Sequence, residues 1–189
     1  MSLALVGLAA IIIVTSINVF TNMMTEKLGT LRDPMEIWEA LNTGGLLPIR
    51  LKAWIFSTIV GYAIPYSRTI NFRITELRKG RAYGVMKETR MISNPFRCVH
   101  AAALITFGET VGTLALFTLF GKHDRAILTN ISAEYVKISR GLLTASSIVP
   151  PIKDREATEA VTFVLIKNAS FETVSKLTLT WKLDLKDNE

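Results

Sequence analysis

The chain has 189 residues, 22 Lys and Arg against 16 Asp and Glu for a net charge of +6, and 49% hydrophobic residues. That length gives one domain plus an appendage with enough chain for a real core, and the apolar share exceeds what a soluble domain needs. The single cysteine, Cys98, excludes an internal disulfide and fits a reducing compartment.

The apolar excess lies at the start. No charged side chain occurs between Met1 and Thr25, and Leu3 to Val14 is almost wholly aliphatic. At ~1.5 Å per residue that run suffices for about one bilayer span. A secretory signal would need a basic start, but Lys27 is the first basic residue. An uncleaved single-pass anchor over 1–25 is therefore expected, with a partner-packed helix or a removed targeting segment as the alternatives. Lys27 and Arg32 balance Glu26 and Asp33, so orientation is not readable.

Residues 26–65 read as a helical linker. Asp33-Pro34 opens a helix running to about Leu41, since Pro suits the first helical position, and Gly44-Gly45 ends it. Leu51 to Ile64 forms a second apolar helix, too short to span a bilayer comfortably. It would lie on the membrane surface or cover the core, and Pro65 closes it.

The pattern then changes period. Ile70, Phe72 and Ile74 alternate within a strand from Thr69 to Leu77, and Lys79-Gly80-Arg81 turns the chain into a second strand, Ala82 to Ile92. Asn94-Pro95 breaks that strand, and an apolar helix runs on to Phe120. Residues 126–139 are β-like, Gly141 marks a turn, and Leu142 to Val149 is a short strand stopped by Pro150-Pro151. Thr158 to Lys167 is apolar on both faces and should be central. In the last strand Leu177, Leu179, Trp181, Leu183 and Leu185 alternate with polar residues. Two strands, one long helix and four strands imply an α+β domain over 66–189, an antiparallel sheet wrapping the helix. A second membrane span over Val99 to Phe120 is disfavoured by Glu109 at mid-depth and by strands that need a helix to pack on.

The net charge has an address. Residues 66–97 hold Arg68, Arg73, Arg78, Lys79, Arg81, Lys87, Arg90 and Arg97 against Glu76 and Glu88, while the remainder of the chain balances. Such a surface suits phosphates of a nucleotide-bearing ligand or acidic phospholipid headgroups, a solvated strand face being the plain alternative. Nucleic acid is not expected, because no stacking aromatics or recognition-helix pattern accompany the charges.

The most informative stretch is Asn94-Pro-Phe-Arg97-Cys-Val-His100-Ala101-Ala102, followed by Glu109. From Cys98 to Phe120 Glu109 is the only formally charged side chain. An ionised carboxylate in an apolar helix is costly unless paired, hydrogen-bonded or used as a base. The segment resembles the PaaI-type acyl-CoA thioesterases of the hotdog fold, which carry Asn-x-x-Gly-x-x-His-Gly-Gly and a carboxylate nine residues after the His. The likeness covers about residues 60–186 and is nearest to a branch with Asn-Pro-Phe in the loop and Gly-Glu in the helix.

The resemblance implies a hotdog domain and thioester hydrolysis without metal or cofactor. Glu109 would be base or nucleophile, Asn94 would orient water or substrate, and His100 with Ala101 would form the oxyanion end. Arg90, Arg97 and Arg81 would meet CoA phosphates or anionic lipid. Three departures stand out: Ala101 and Ala102 replace both glycines, Arg97 replaces the loop glycine, and Thr129 is only the nearest counterpart of a hydroxyl after the helix.

Spacing adds a constraint. His100 and Glu109 are about 13–14 Å apart along a helix and ~180° around it, so one chain cannot bring both to one substrate. A homodimer is expected, or a heterodimer with a hotdog paralogue. The functional expectation is a membrane-anchored thioesterase acting on acyl-CoA or acyl-carrier thioesters in the mitochondrial inner membrane or an endomembrane. Its alternative is a non-catalytic hotdog protein that binds lipid or builds a membrane complex.

Overall fold

The computed structural model describes residues 33–42, 48–152 and 154–186. The expected anchor over 1–25 lies outside them, and among the described residues no helix is long and apolar enough to cross a membrane.

The first helix, α1 (Pro34–Asn42), starts where Asp33 Oδ1 accepts hydrogen bonds from the N–H groups of Met35 at 3.1 Å and Glu36 at 3.0 Å. That satisfies two donors a helix start leaves open. Helix α2 (Ile49–Ala63) packs Phe56 edge-on against Trp38 of α1, ring centroids 5.0 Å apart. Pro65 does not end helical structure but opens the one-turn α3 (Pro65–Arg68). Its ring bars Ile64 from helical geometry, yet its own φ suits a first helical position.

Strands β1 (Phe72–Arg78) and β2 (Arg81–Lys87) form the expected hairpin, with Gly80 at φ +71° in the turn. The Gly80 N–H donates to Thr118 Oγ1 at 2.7 Å, tying the turn to the far end of the central helix. Strand β2 is shorter than the expected 82–92. Glu88 leaves it to bond Gly141, and residues Arg90–Ile92 coil into a 3-10 turn that buries Ile92.

The central helix α4 (Ala101–Phe117) is followed by β3 (Arg125–Tyr135), β4 (Leu142–Ile148), β5 (Glu159–Lys167) and β6 (Thr173–Asp184). All pairings are antiparallel, in the order β1-β2-β4-β5-β6-β3. This is the hotdog arrangement, with α4 on one face of the sheet. Gly108 and Gly112 allow the close approach: a Cβ on Gly108 would lie 2.6 Å from a Leu177 methyl. The core between helix and sheet holds Phe107, Val111, Leu114, Val164, Leu177 and Leu179.

Strand β5 does sit inside the sheet, between β4 and β6, but it is not buried on both faces. Thr162, Val164 and Ile166 face the helix and are buried, while Val161, Phe163 and Leu165 are exposed. Among the described residues helices cover one face only, so the apolar residues on the other are exposed. Strand β3 pairs with β6 alone; its outer edge has no strand beside it among the described residues.

A buried carboxylate locks the far end of α4. Asp124 accepts from the N–H groups of Gly121 at 2.7 Å and Lys186 at 2.9 Å, and from both terminal nitrogens of Arg155 at 2.6 and 3.0 Å. Burial by itself raises the proton affinity of this group. The bonds from Arg155, Gly121 and Lys186, with the Arg155 charge, outweigh it and hold the carboxyl below its ordinary range.

Candidate active site

The loop entering α4 is shaped by its own side chains. Asn94 Oδ1 accepts from the N–H groups of Phe96 at 2.9 Å and Cys98 at 3.3 Å, and from the Cys98 thiol at 3.3 Å. The Asn94 N–H donates to the Cys98 carbonyl at 2.9 Å. This is the local side-chain turn that Asn favours. Its carboxamide oxygen is spent on the loop rather than presented to a ligand. Arg97, which stands where the resembled motif has glycine, is at φ +55°, a left-handed backbone that glycine adopts freely.

His100 is the N-cap of α4. Its backbone is extended, and Nδ1 accepts from the Ala102 N–H at 3.1 Å. The ring is exposed, and its Nδ1 is engaged in that bond. The His100 N–H donates to the Ile92 carbonyl at 2.7 Å, so the expected backbone donor at that residue is occupied. The Ala101 N–H, first of the helix and at the positive end of its dipole, carries no hydrogen bond among the described residues. It is the donor left for an oxyanion.

Glu109 lies on the least buried stripe of α4, with Ala101, Ile105, Thr113 and Phe117. Its carboxylate is half-buried and has no hydrogen bond or ion pair among the described residues. Desolvation raises its pKa above the ordinary carboxylate value. From Ala101 to Glu109 the stripe runs about 12 Å along the axis. Farther on, Phe117 joins Phe120, Ala126 and Leu183 around a largely apolar hollow of about 540 Å³, open at one side.

The structure gathers Asn94, Arg97, His100 and Ala101 at the helix start, with Arg90 in the adjoining turn. It does not bring Thr129 there: Thr129 sits at the bulge of β3 and donates its hydroxyl to the Thr180 carbonyl at 3.0 Å. Arg81 is also apart, in the hairpin at the opposite end of the sheet, facing Arg78. One residue was missed from sequence. Tyr135, at the end of β3, reaches the Ala101 carbonyl with its hydroxyl at 3.5 Å, and burial raises its pKa, so it keeps its proton. Its alternation with Ile131 and Ala133 on the helix-facing side of β3 is the signal that could have found it. No group of three or more His, Cys, Asp or Glu side chains able to hold a metal occurs among the described residues.

The family model of a domain of unknown function (DUF4442) matches residues 52–183. No curated protein matches the chain. Among solved structures, a thioesterase enzyme from Staphylococcus aureus is similar at 20% identity and TM-score 0.57, over 64% of this chain and 98% of that one. A thioesterase from Haemophilus influenzae shares 16% identity at TM-score 0.57, over 64% and 82%. A protein of unknown function from Pseudomonas aeruginosa shares 17% at TM-score 0.64, over 74% and 97%. At these identities the likeness is one of fold.

Proposed function

We propose that this chain, which belongs to the DUF4442 family and has the hotdog fold, is an acyl-thioester hydrolase whose site a second copy completes. The observation carrying this proposal is Glu109: a half-buried carboxylate without a partner among the described residues, on the same open helix stripe as the unoccupied Ala101 N–H. A carboxyl of raised proton affinity is a better general base near neutral pH.

In the reaction, Glu109 of one chain takes a proton from water, and the resulting hydroxide attacks the thioester carbonyl carbon. Negative charge collects on the carbonyl oxygen, where the Ala101 N–H of the other chain stabilises it. The carbon–sulfur bond then breaks and the thiolate leaves with the proton Glu109 had taken. The Tyr135 hydroxyl would serve as a second donor by turning its proton from the Ala101 carbonyl, which it meets at a long 3.5 Å. The acyl tail would follow the apolar stripe toward Phe117, while Arg90 and Arg97 would meet phosphates of a CoA or carrier. Single-pass anchoring by residues 1–25, in the mitochondrial inner membrane or an endomembrane, remains part of the proposal.

A second proposal, a hotdog protein that binds lipid without hydrolysing it, is favoured by one observation. His100 occupies the Ala102 N–H, leaving one backbone donor where two glycines would have offered more room. Turnover on acyl-CoA substrates of graded chain length decides between them. Glu109→Gln should keep the fold and lose about 10²–10⁴-fold in rate. Unchanged turnover in that variant removes Glu109 from catalysis, and an inactive wild type supports the binding role.

A further inference from the structure

The end of the domain where α4 begins carries side chains that hydrolysis does not use. Met91 is 89% exposed, Phe96 80%, Phe171 79% and Ile138 68%. The first three are the most exposed large apolar residues among the described ones. They come from three loops that meet at this pole: the entry loop, the β3–β4 connection and the β5–β6 turn.

The loops are stitched together. Arg140 donates to the Arg97 carbonyl at 2.9 Å and the Phe96 carbonyl at 3.4 Å, and Lys137 pairs with Glu172 at 2.6 Å. Glu88 accepts from the Gly141 N–H at 2.7 Å. Within the β5–β6 turn, Asn168 Oδ1 accepts from the N–H groups of Ser170 and Glu172, each at 3.0 Å, and holds Phe171 outward at φ +60°. The apolar tips are therefore displayed on a preorganised frame, which lowers the ordering cost of docking.

Around the tips the charge is one-sided. Lys87, Arg90, Arg97, Lys137, Arg140 and Lys167 stand against Glu88 and Glu172, both of which are engaged by the loops themselves. Lys87, Arg90, Arg97 and Lys167 have no ion pair among the described residues.

We infer that this pole docks on a bilayer containing anionic phospholipid, with Met91, Phe96, Ile138 and Phe171 entering the headgroup layer and the cations meeting lipid phosphates. Charge complementarity selects the occupant. A soluble phosphate ligand would use the cations but leave four large apolar tips in water, whereas an anionic interface takes both. The apolar tips take no part in the proposed hydrolysis, whereas Arg90 and Arg97 are shared with it. Docking at this pole places the helix start, where an acyl substrate would enter, against the lipid.

The test uses the full chain carrying Phe171→Trp, or Phe96→Trp as a second probe in another loop. Each replaces one exposed ring by another, and a thermal melt checks that the fold is kept. Because the apolar residues 1–25 would attach to any vesicle, the readout is the emission of the added tryptophan, with the wild-type signal subtracted. With phosphatidylcholine–phosphatidylserine vesicles that emission should shift to the blue and be quenched by brominated acyl chains. With phosphatidylcholine alone, or at high salt, both effects should fall several-fold. Adding Lys87→Ala and Lys167→Ala, neither of which the proposed hydrolysis uses, should weaken the response in the same way. An emission unchanged by either vesicle overturns the inference and leaves a protein as the occupant of the pole. An equal response to neutral and anionic vesicles overturns the charge recognition.

Discussion

Glu109 and Arg97 show how much a single residue can disclose. Glu109 was legible as the lone charge in an apolar helix, and its raised proton affinity gives a sign that can be checked. Its folded-state pKa lies above the ordinary 4.5, so the folded chain holds the proton more tightly than the unfolded one. The cost of ionising it is absent below that ordinary value and is felt fully once pH exceeds the folded value. Glu109→Gln should therefore raise the melting temperature at pH 7, with the gain vanishing toward pH 4; a gain that is the same at both pH values would refute the buried-carboxylate account. Arg97 was legible only as a departure from a glycine. Its φ of +55° costs a non-glycine residue about 1–2 kcal/mol, against roughly 0.5–1 kcal/mol for the extra freedom a glycine loses on folding. Arg97→Gly should leave the chain up to about 1 kcal/mol more stable by urea denaturation. The loop duty of Asn94 and the capping duty of His100 were not legible, because spacing records where a side chain starts and not which lone pair is already engaged.

At the scale of elements, period and punctuation located every strand and helix that frames the site, including the strand-strand-helix-four-strand order. The two strands read as too long share one physical cause. Residues 88–92 and 136–139 have strand-like composition but leave the sheet, because Glu88 bonds Gly141 while the Val136 and Lys137 N–H groups share the Val174 carbonyl. Those are contacts between chain segments far apart in sequence, which local pattern does not contain. The same holds for Asp124, an unremarked acid in a turn that proves to join the end of α4, Arg155 and the backbone at Lys186. Arg155 keeps 30% of its side chain exposed, so removing Asp124 loses charge-assisted hydrogen bonds without burying a bare charge. Asp124→Ala should cost about 1.5–3 kcal/mol. Because the folded-state pKa is lowered, the carboxylate's contribution is complete above its ordinary value of 3.8 and is lost as pH falls through the folded value. Chemical denaturation at neutral and acid pH should show the gap between wild type and variant closing in acid.

For the whole molecule, the outer edge of β3 has no strand beside it among the described residues. The proposed shared site needs a second chain, and that edge would offer the surface for one. Complementation tests this. Ala101→Pro deletes the oxyanion donor while suiting the first helical position, and the extended His100 before it tolerates a proline. A loss of about 10²–10³-fold is expected from that donor. Mixed with Glu109→Gln chains, Ala101→Pro chains should regain one intact site per heterodimer and up to half the wild-type rate. A mixture as inactive as its parents, with subunit exchange verified, would rule out the shared site. The pairing of β3 also bears on how the polypeptide is made. Among the described residues its only strand neighbour is β6, with Arg125 opposite Asp184 and Tyr135 opposite Ser175. While a ribosome adds the roughly 40–60 residues between partners, at about 5–20 residues per second, β3 waits for seconds with both edges open beside an uncovered apolar helix. Nascent chains of this topology should be bound by chaperones late in synthesis, and release should coincide with emergence of the last strand.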